Sequence, residues 1–129
     1  MKQNLSIRQA QDEVAAYLTA KGPAWSGLGK HYYLVTHLVE EIGELARAVI
    51  NLEDKVIEPH RRGLAAPSVE KTAALLDSIG DSLFHLLKLC VAYGLDLEEA
   101  FESSFGAIKK KYPVDHRFRD GRRYSGGHR

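Results

Sequence analysis

The spacing of apolar residues between positions 34 and 52 constrains this chain more than any other feature. Its large aliphatic side chains recur every three or four positions: Leu34, Leu38, Ile42, Leu45, Val49 and Leu52. This period is typical of an α-helix with one buried side, and it predicts a long helix from about Lys30 to Val56. No segment shows the alternation of a half-buried strand, so the sequence predicts an all-α fold.

Capping signals predict a helix before this one. Ser6 and Gln9 have the spacing of a capping box, so a first helix is expected from Ser6 to about Ala20. The segment 22–29 that follows holds three glycines and a proline, and it is a predicted loop.

Two more helices are predicted in the second half of the chain. Ser68 is the expected N-cap of a third helix that reaches Tyr93, with Gly94 in the C′ position that glycine favours. Asp96 opens a fourth helix, which runs to about Lys111 and stops before a proline. Four helices of these lengths predict a fold that resembles a four-helix bundle.

Composition narrows the classes of function. With 129 residues, the chain suffices for one domain, predicted over residues 1–113. The formal net charge of +1 gives no reason to expect nucleic acid or a membrane as partner. The single cysteine, Cys90, suits a reducing compartment, and no signal peptide or membrane span is visible, so a cytoplasmic location is expected. Residues 114–129, which are rich in arginine, are expected to form a basic, flexible tail.

Three glutamates interrupt the apolar pattern of the long second helix. On a helical wheel of about 100° per residue, Glu41 lies about 60° from Leu38, at the margin of the predicted buried side. Glu44 follows one turn later, and Glu40 points further out. A carboxylate at the edge of a core is costly to ionise unless a cation or a hydrogen-bond donor meets it. The alternative is an ordinary solvated face, partly paired with Arg47.

Polar residues form one stripe along the third predicted helix: Asp77, Asp81, His85 and Lys88, with Ser78 and Ser82 at its border. Apolar residues lie on the opposite side: Leu75, Ile79, Leu86 and Cys90. If the polar stripe faces the second helix, four carboxylates converge: Glu41, Glu44, Asp77 and Asp81. Grouped carboxylates repel one another unless a hard divalent cation neutralises them. Ligation by oxygen alone favours Mg²⁺ or Mn²⁺ over zinc, which points toward nucleotide chemistry.

These segments resemble the all-α nucleoside triphosphate pyrophosphohydrolase superfamily, which includes MazG, the dCTP pyrophosphatases and phosphoribosyl-ATP pyrophosphohydrolase. Four segments carry the resemblance in order: LVEEIGELARAV (38–49), LDSIGDSLFHLL (76–87), YGLDLEEAF (93–101) and KKKYP (109–113). The resemblance implies a magnesium-dependent reaction in which water attacks the α-phosphorus of a nucleoside triphosphate and releases a monophosphate and pyrophosphate. It also raises the expectation of a homodimer or homotetramer with its pocket near an interface.

The resemblance assigns roles to several carboxylates. Glu41 and Glu44 match the first pair of metal ligands, and Asp81 matches the aspartate of the second motif. Ser78 stands where the family has a glutamate, which leaves the site one ligand short. Asp77, one turn before Asp81, is a substitute through a bound water. Carboxylates that do not bind the metal directly are candidates for the general base: Glu40 and Asp77.

Substrate contacts are assigned less directly. Ala107 and Ile108 occupy the place of a family Lys-Asn pair, so the basic ending of the fourth helix is expected to meet the phosphates instead: Lys109, Lys110 and Lys111, followed by Tyr112. Trp25, in the glycine-rich loop, is a candidate for stacking on the base, and Tyr32, Tyr33 and His37 are candidates to line the same pocket. The alternative for Trp25 is an ordinary core or interface position.

Two other functions remain open at this point. Ser78 and the missing Lys-Asn pair are compatible with a degenerate relative that binds a nucleotide without turning it over. A helical interaction protein with a merely solvated acidic face is the third reading.

Overall fold

The structure, a computed structural model, describes residues 4–22, 31–57, 61–63 and 69–115. All regular elements in these segments are helical: α1 (Ile7–Lys21), α2 (His31–Leu52), α3 (Val69–Tyr93) and α4 (Leu97–Lys111), with a π-helical turn at Glu53–Ile57 after α2. The predicted all-α fold is confirmed. None of the described helices is long and apolar enough to cross a membrane. The predicted cap Ser68, the loop with Trp25 and most of the basic tail lie outside the described residues.

Local side-chain signals set the start and end of α1. The Ser6 hydroxyl accepts a hydrogen bond from the Gln9 N–H at 3.1 Å, and the Gln9 side-chain oxygen accepts one from the Ser6 N–H at 2.8 Å. This is the capping box that the sequence predicts. Gly22 ends the helix with a φ of 95°, and its N–H donates to the Leu18 carbonyl at 3.1 Å.

A Schellman motif ends α3. Gly94 has a φ of 65°, the left-handed conformation that an L side chain rarely adopts. Its N–H donates to the Val91 carbonyl at 3.2 Å, and the Leu95 N–H donates to the Cys90 carbonyl at 2.9 Å. The predicted role of Gly94 as the C′ residue is confirmed, and the chain turns directly into α4.

Two residues of α1 fasten it to the start of α4. Asp96 caps α4, and the Arg8 guanidinium donates to its carboxylate at 2.9 Å. The Gln11 amide accepts a hydrogen bond from the Leu97 N–H at 2.9 Å and donates to the Leu95 carbonyl. These contacts fix the beginning of α1 beside the end of α3.

The most extensive helix packing joins α2 to α3, and α1 packs on α3. The most deeply buried apolar residues of the described chain are few: Leu18, Leu34, Leu87 and Cys90. Within α2 the core side runs through Leu34 and Leu45. Ile42 and Val49, which the sequence placed on this side, are exposed in the single chain. That expectation is wrong because α2 carries two adjacent apolar stripes, and the described part of the chain covers only one of them.

The face prediction for α3 also needs correction. Ile79 was expected on the buried side and is exposed, whereas Lys88 was expected on the polar stripe and is buried. The reason is that α1 as well as α2 packs against α3. The C-terminal half of α3 is therefore enclosed on more than one side, while its N-terminal half keeps exposed apolar residues.

Candidate active site

One side of α2 carries a ribbon of polar side chains beside its core face. Tyr33, His37, Glu41 and Glu44 follow one another at spacings of four, four and three, so they share one side of the helix. Tyr33, His37 and Glu44 are exposed, whereas the Glu41 side chain is only 20% exposed because it turns toward α3. The most buried carboxylate of this ribbon thus lies in the seam between α2 and α3.

Several residues on the His85 side of α3 are small or polar. Ser78 is partly buried, and Ser82 is buried with its hydroxyl donating to the Ser78 carbonyl at 2.8 Å. One turn after Asp81, the His85 side chain is 18% exposed. Asp77 and Asp81 themselves are exposed. The seam therefore holds an imidazole from α3 beside a carboxylate from α2.

Glu41 and His85 meet directly. The His85 Nε2 atom lies 3.6 Å from a Glu41 carboxylate oxygen. The other Glu41 oxygen and the His85 Nδ1 are buried, and neither has a hydrogen-bond partner within the described part of the chain. The His37 ring stands edge-on to His85 with the ring centroids 5.9 Å apart. Buried polar atoms without partners are rare in folded proteins, so this pair is the most unusual polar feature of the seam.

Burial controls the charge of His85. Loss of solvent lowers the pKa of this imidazole below its ordinary value, and Lys88 and His37 act in the same direction. The negative charge of Glu41 raises the pKa but does not outweigh the burial. Burial therefore favours the neutral imidazole, in which one ring nitrogen carries a lone pair.

The structure does not draw all predicted carboxylates together. Among the described residues, no group of three or more His, Cys, Asp or Glu side chains is arranged to hold a metal ion. Glu44 and Asp81, the other two expected ligands, are exposed on the same sides of their helices as Glu41 and His85 respectively. The two candidates for general base, Glu40 and Asp77, are exposed as well.

The expected phosphate-binding lysines occupy the last turn of α4. Lys109, Lys110 and Lys111 are exposed, and Tyr112 is a partly buried residue that caps the helix. The Lys109 ammonium lies 4.8 Å from the Phe105 ring centroid. In the described chain α4 packs mainly on α1, so no extensive contact ties these lysines to the α2–α3 seam.

Sequence reasoning missed His85 as a site residue. It placed His85 in the polar stripe of α3 and gave it no role, whereas its observed partner is Glu41 on α2. The available signal was the i,i+4 spacing from Asp81, which puts both residues on one side of α3.

The fold and this seam define an all-helical protein with a carboxylate and an imidazole enclosed between its two longest helices. The sequence matches the MazG nucleotide pyrophosphohydrolase domain over residues 30–116, which is 87 of 129 residues. The chain therefore belongs to the MazG nucleotide pyrophosphohydrolase family, as its sequence motifs predict. Searches of curated proteins and of solved structures gave no significant match. The matched region includes α2, α3 and α4, and hence both residues of the buried pair.

Proposed function

We propose that this protein hydrolyses a nucleoside triphosphate to a nucleoside monophosphate and pyrophosphate through attack of water at the α-phosphorus. The observation that carries the proposal is Glu41, a carboxylate from the family's EExxE motif that the fold encloses against α3. An enclosed carboxylate with an unpartnered oxygen is costly for stability alone, so a ligand is its natural explanation. The composition suggests a cytoplasmic location, where nucleoside triphosphates are available as substrates.

The proposed cofactor is a divalent cation, Mg²⁺ or Mn²⁺, for which Glu41, Glu44 and Asp81 are the proposed ligands. The unpartnered Glu41 oxygen fits this role, because a carboxylate oxygen is a ligand that hard cations prefer. When bound, such a cation screens the charge of the phosphates and lowers the pKa of a nearby water. Glu44 and Asp81 are exposed and so are free to turn toward the seam.

Residues around Glu41 have proposed roles in proton transfer and substrate binding. Glu40 or Asp77 takes the proton of the attacking water onto a carboxylate oxygen, which makes the water oxygen a stronger nucleophile as it attacks the phosphorus. The basic end of α4 stabilises the departing pyrophosphate: Lys109, Lys110 and Lys111, with Tyr112. His37 and Tyr33, exposed beside Glu41, provide rings on which a base can stack, and Trp25 is a further candidate.

We also propose that the working form is a homodimer or homotetramer. Exposed aliphatic residues line α2 about 100° around the helix from its core side: Val35, Val39, Ile42 and Val49. A matching set lines α3 from its first half to just past its middle: Leu76, Ile79 and Leu83. Extended apolar stripes of this kind are typical of protein interfaces, and a second copy of the chain offers a complementary stripe.

The deciding experiment incubates the pure protein with each common ribonucleoside and deoxyribonucleoside triphosphate in the presence of Mg²⁺ or Mn²⁺, and quantifies monophosphate and pyrophosphate. Turnover that Glu41→Gln lowers by at least about 100-fold supports the proposal. Glu13→Gln, an exposed glutamate on α1, is the matched control and should retain wild-type turnover. Orthophosphate in place of pyrophosphate would contradict attack at the α-phosphorus.

Ser78 motivates the second candidate, a protein that binds nucleotides without turnover. Its hydroxyl replaces the family's glutamate at a partly buried position on the same side of α3 as His85. In the same assay, nucleotide binding without product would favour this candidate. Ser78→Glu would then raise turnover from zero, because it restores the fourth carboxylate. The absence of both nucleotide binding and turnover would favour an interaction protein.

A further inference from the structure

The side chain that lies against Glu41 across the seam is the imidazole of His85, not another carboxylate. An imidazole binds metal ions through a ring nitrogen. The 3.6 Å between the His85 Nε2 and the Glu41 oxygen exceeds the usual 2.7–3.2 Å of a hydrogen bond. It is compatible with two atoms that bind one ion: with bonds of about 2.1 Å, a separation near 3.6 Å corresponds to an angle of about 120°. The remaining Glu41 oxygen is enclosed without a partner.

His85 lies on the side of α3 from which the missing family ligand would point. Ser78 stands where the family resemblance implies a glutamate, and His85 lies seven residues later. On a wheel of about 100° per residue, seven residues bring the chain back to within about 20° of the same direction. His85 therefore points from the same side of α3 as Ser78, two turns along, with Asp81 between them. Both Ser78 and His85 are partly buried there.

We propose that His85 Nε2 and Glu41 bind one divalent ion together, so that this site has mixed nitrogen and oxygen donors and prefers a transition ion such as Mn²⁺, Co²⁺ or Zn²⁺ over Mg²⁺. Imidazole ligands favour these ions, whereas ligation by oxygen alone favours Mg²⁺. His37, whose ring stands edge-on to His85, is the neighbouring imidazole from which the test must distinguish His85. This inference rests on the metal site of the proposed function, and it differs from the oxygen-only set that the sequence suggests.

The test uses the full-length protein without nucleotide, loaded with Mn²⁺ alone, and reads ¹⁴N coupling to the ion by pulsed electron paramagnetic resonance. Wild type should show coupling from one directly bound imidazole, and His85→Gln should lose it. The matched control, His37→Gln, should retain it. Calorimetric titration with Co²⁺ and with Mg²⁺ should show that His85→Gln weakens Co²⁺ binding at least about tenfold and Mg²⁺ binding much less.

Wild type without ¹⁴N coupling, or coupling that persists in His85→Gln, would overturn the inference. Coupling lost in His37→Gln but retained in His85→Gln would overturn it too. Should His85→Gln unfold, as circular dichroism would reveal, His85→Asn and Glu41→Gln provide second variants, each expected to lose Mn²⁺ coupling. Nitrogen coupling without turnover of any nucleotide would refute the proposed hydrolysis and leave the metal site standing. Turnover with Mg²⁺ but without ¹⁴N coupling would support the proposed hydrolysis and refute the mixed nitrogen and oxygen metal site.

Discussion

Replacing Leu76 with serine removes part of the exposed apolar stripe on α3, and it tests the proposed association of copies. The Leu76 residue is 69% exposed in the single chain. Complete burial of a leucine side chain contributes about 1.5–3 kcal/mol, so covering its exposed part in an interface contributes about 1–2 kcal/mol. In a twofold-symmetric dimer the residue occurs twice. The loss is then about 2–4 kcal/mol, or roughly 30- to 700-fold in dissociation constant.

The effect on a single chain should be small. Because Leu76 is already exposed there, the free energy of unfolding of a monomer should change by no more than about 0.5 kcal/mol. Sedimentation velocity over a series of protein concentrations measures the association, and urea unfolding at low concentration measures the stability. Leu95→Ser is the matched control, because Leu95 is 59% exposed in the turn before α4, outside both stripes.

Three results separate the possibilities. A wild-type chain that stays monomeric at micromolar concentration contradicts the proposed association. A Leu76→Ser chain that associates as tightly as wild type contradicts the assignment of this stripe to the interface. An equal loss of association in Leu95→Ser would mean that general surface polarity, not the stripe, governs the equilibrium.

Three further predictions concern stability and are measured by denaturant unfolding. Leu34→Ala should lower the free energy of unfolding by about 3 kcal/mol, because Leu34 is almost fully buried and alanine leaves a cavity. Gly94→Ala should lower it by about 1–2 kcal/mol, because alanine is strained at a φ of 65°. The backbone N–H of Glu99 and the Arg8 guanidinium hold the pKa of Asp96 below its ordinary value. The stability from this charge is therefore present above the ordinary aspartate pKa and is lost as the pH falls through the lower folded-state pKa. Asp96→Asn keeps a capping side chain but removes the charge, so it should destabilise the protein near neutral pH and have little effect in strong acid.

The ends of the helices could be predicted from the sequence because their causes are local. The Ser6 capping box joins residues three positions apart, and the Gly94 motif involves only the adjacent turn. Such interactions form wherever the helix forms, whatever packs against it. Asp96 shows the limit of this reasoning: its role as an N-cap was visible in the sequence, whereas its ion pair with Arg8, 88 positions away, was not.

The faces of the helices could be predicted only in part. Ile42 and Val49 have the same spacing as the core leucines, so a pattern of apolar residues could not tell which stripe its own chain covers. That choice depends on tertiary packing, as does the meeting of Glu41 with His85. The motif around Glu41 indicated its importance, but the partner lies on another helix, 44 positions later.

Glu41 occupies a position that the fold alone does not favour. Leu38 and Leu45, its neighbours on the same helix, show that α2 accepts aliphatic residues along this seam. A buried polar atom without a hydrogen bond costs about 1–3 kcal/mol, so an apolar residue in place of Glu41 would suit the isolated fold better. Side chains that break the local rule of packing occur mainly where binding or catalysis requires them. The same argument applies to His85, whose Nδ1 is equally enclosed and unpartnered. A cation bound between His85 Nε2 and Glu41 would offset the cost of enclosing the carboxylate. The cost at Nδ1 is separate, because that atom lies on the other side of the imidazole ring from Nε2.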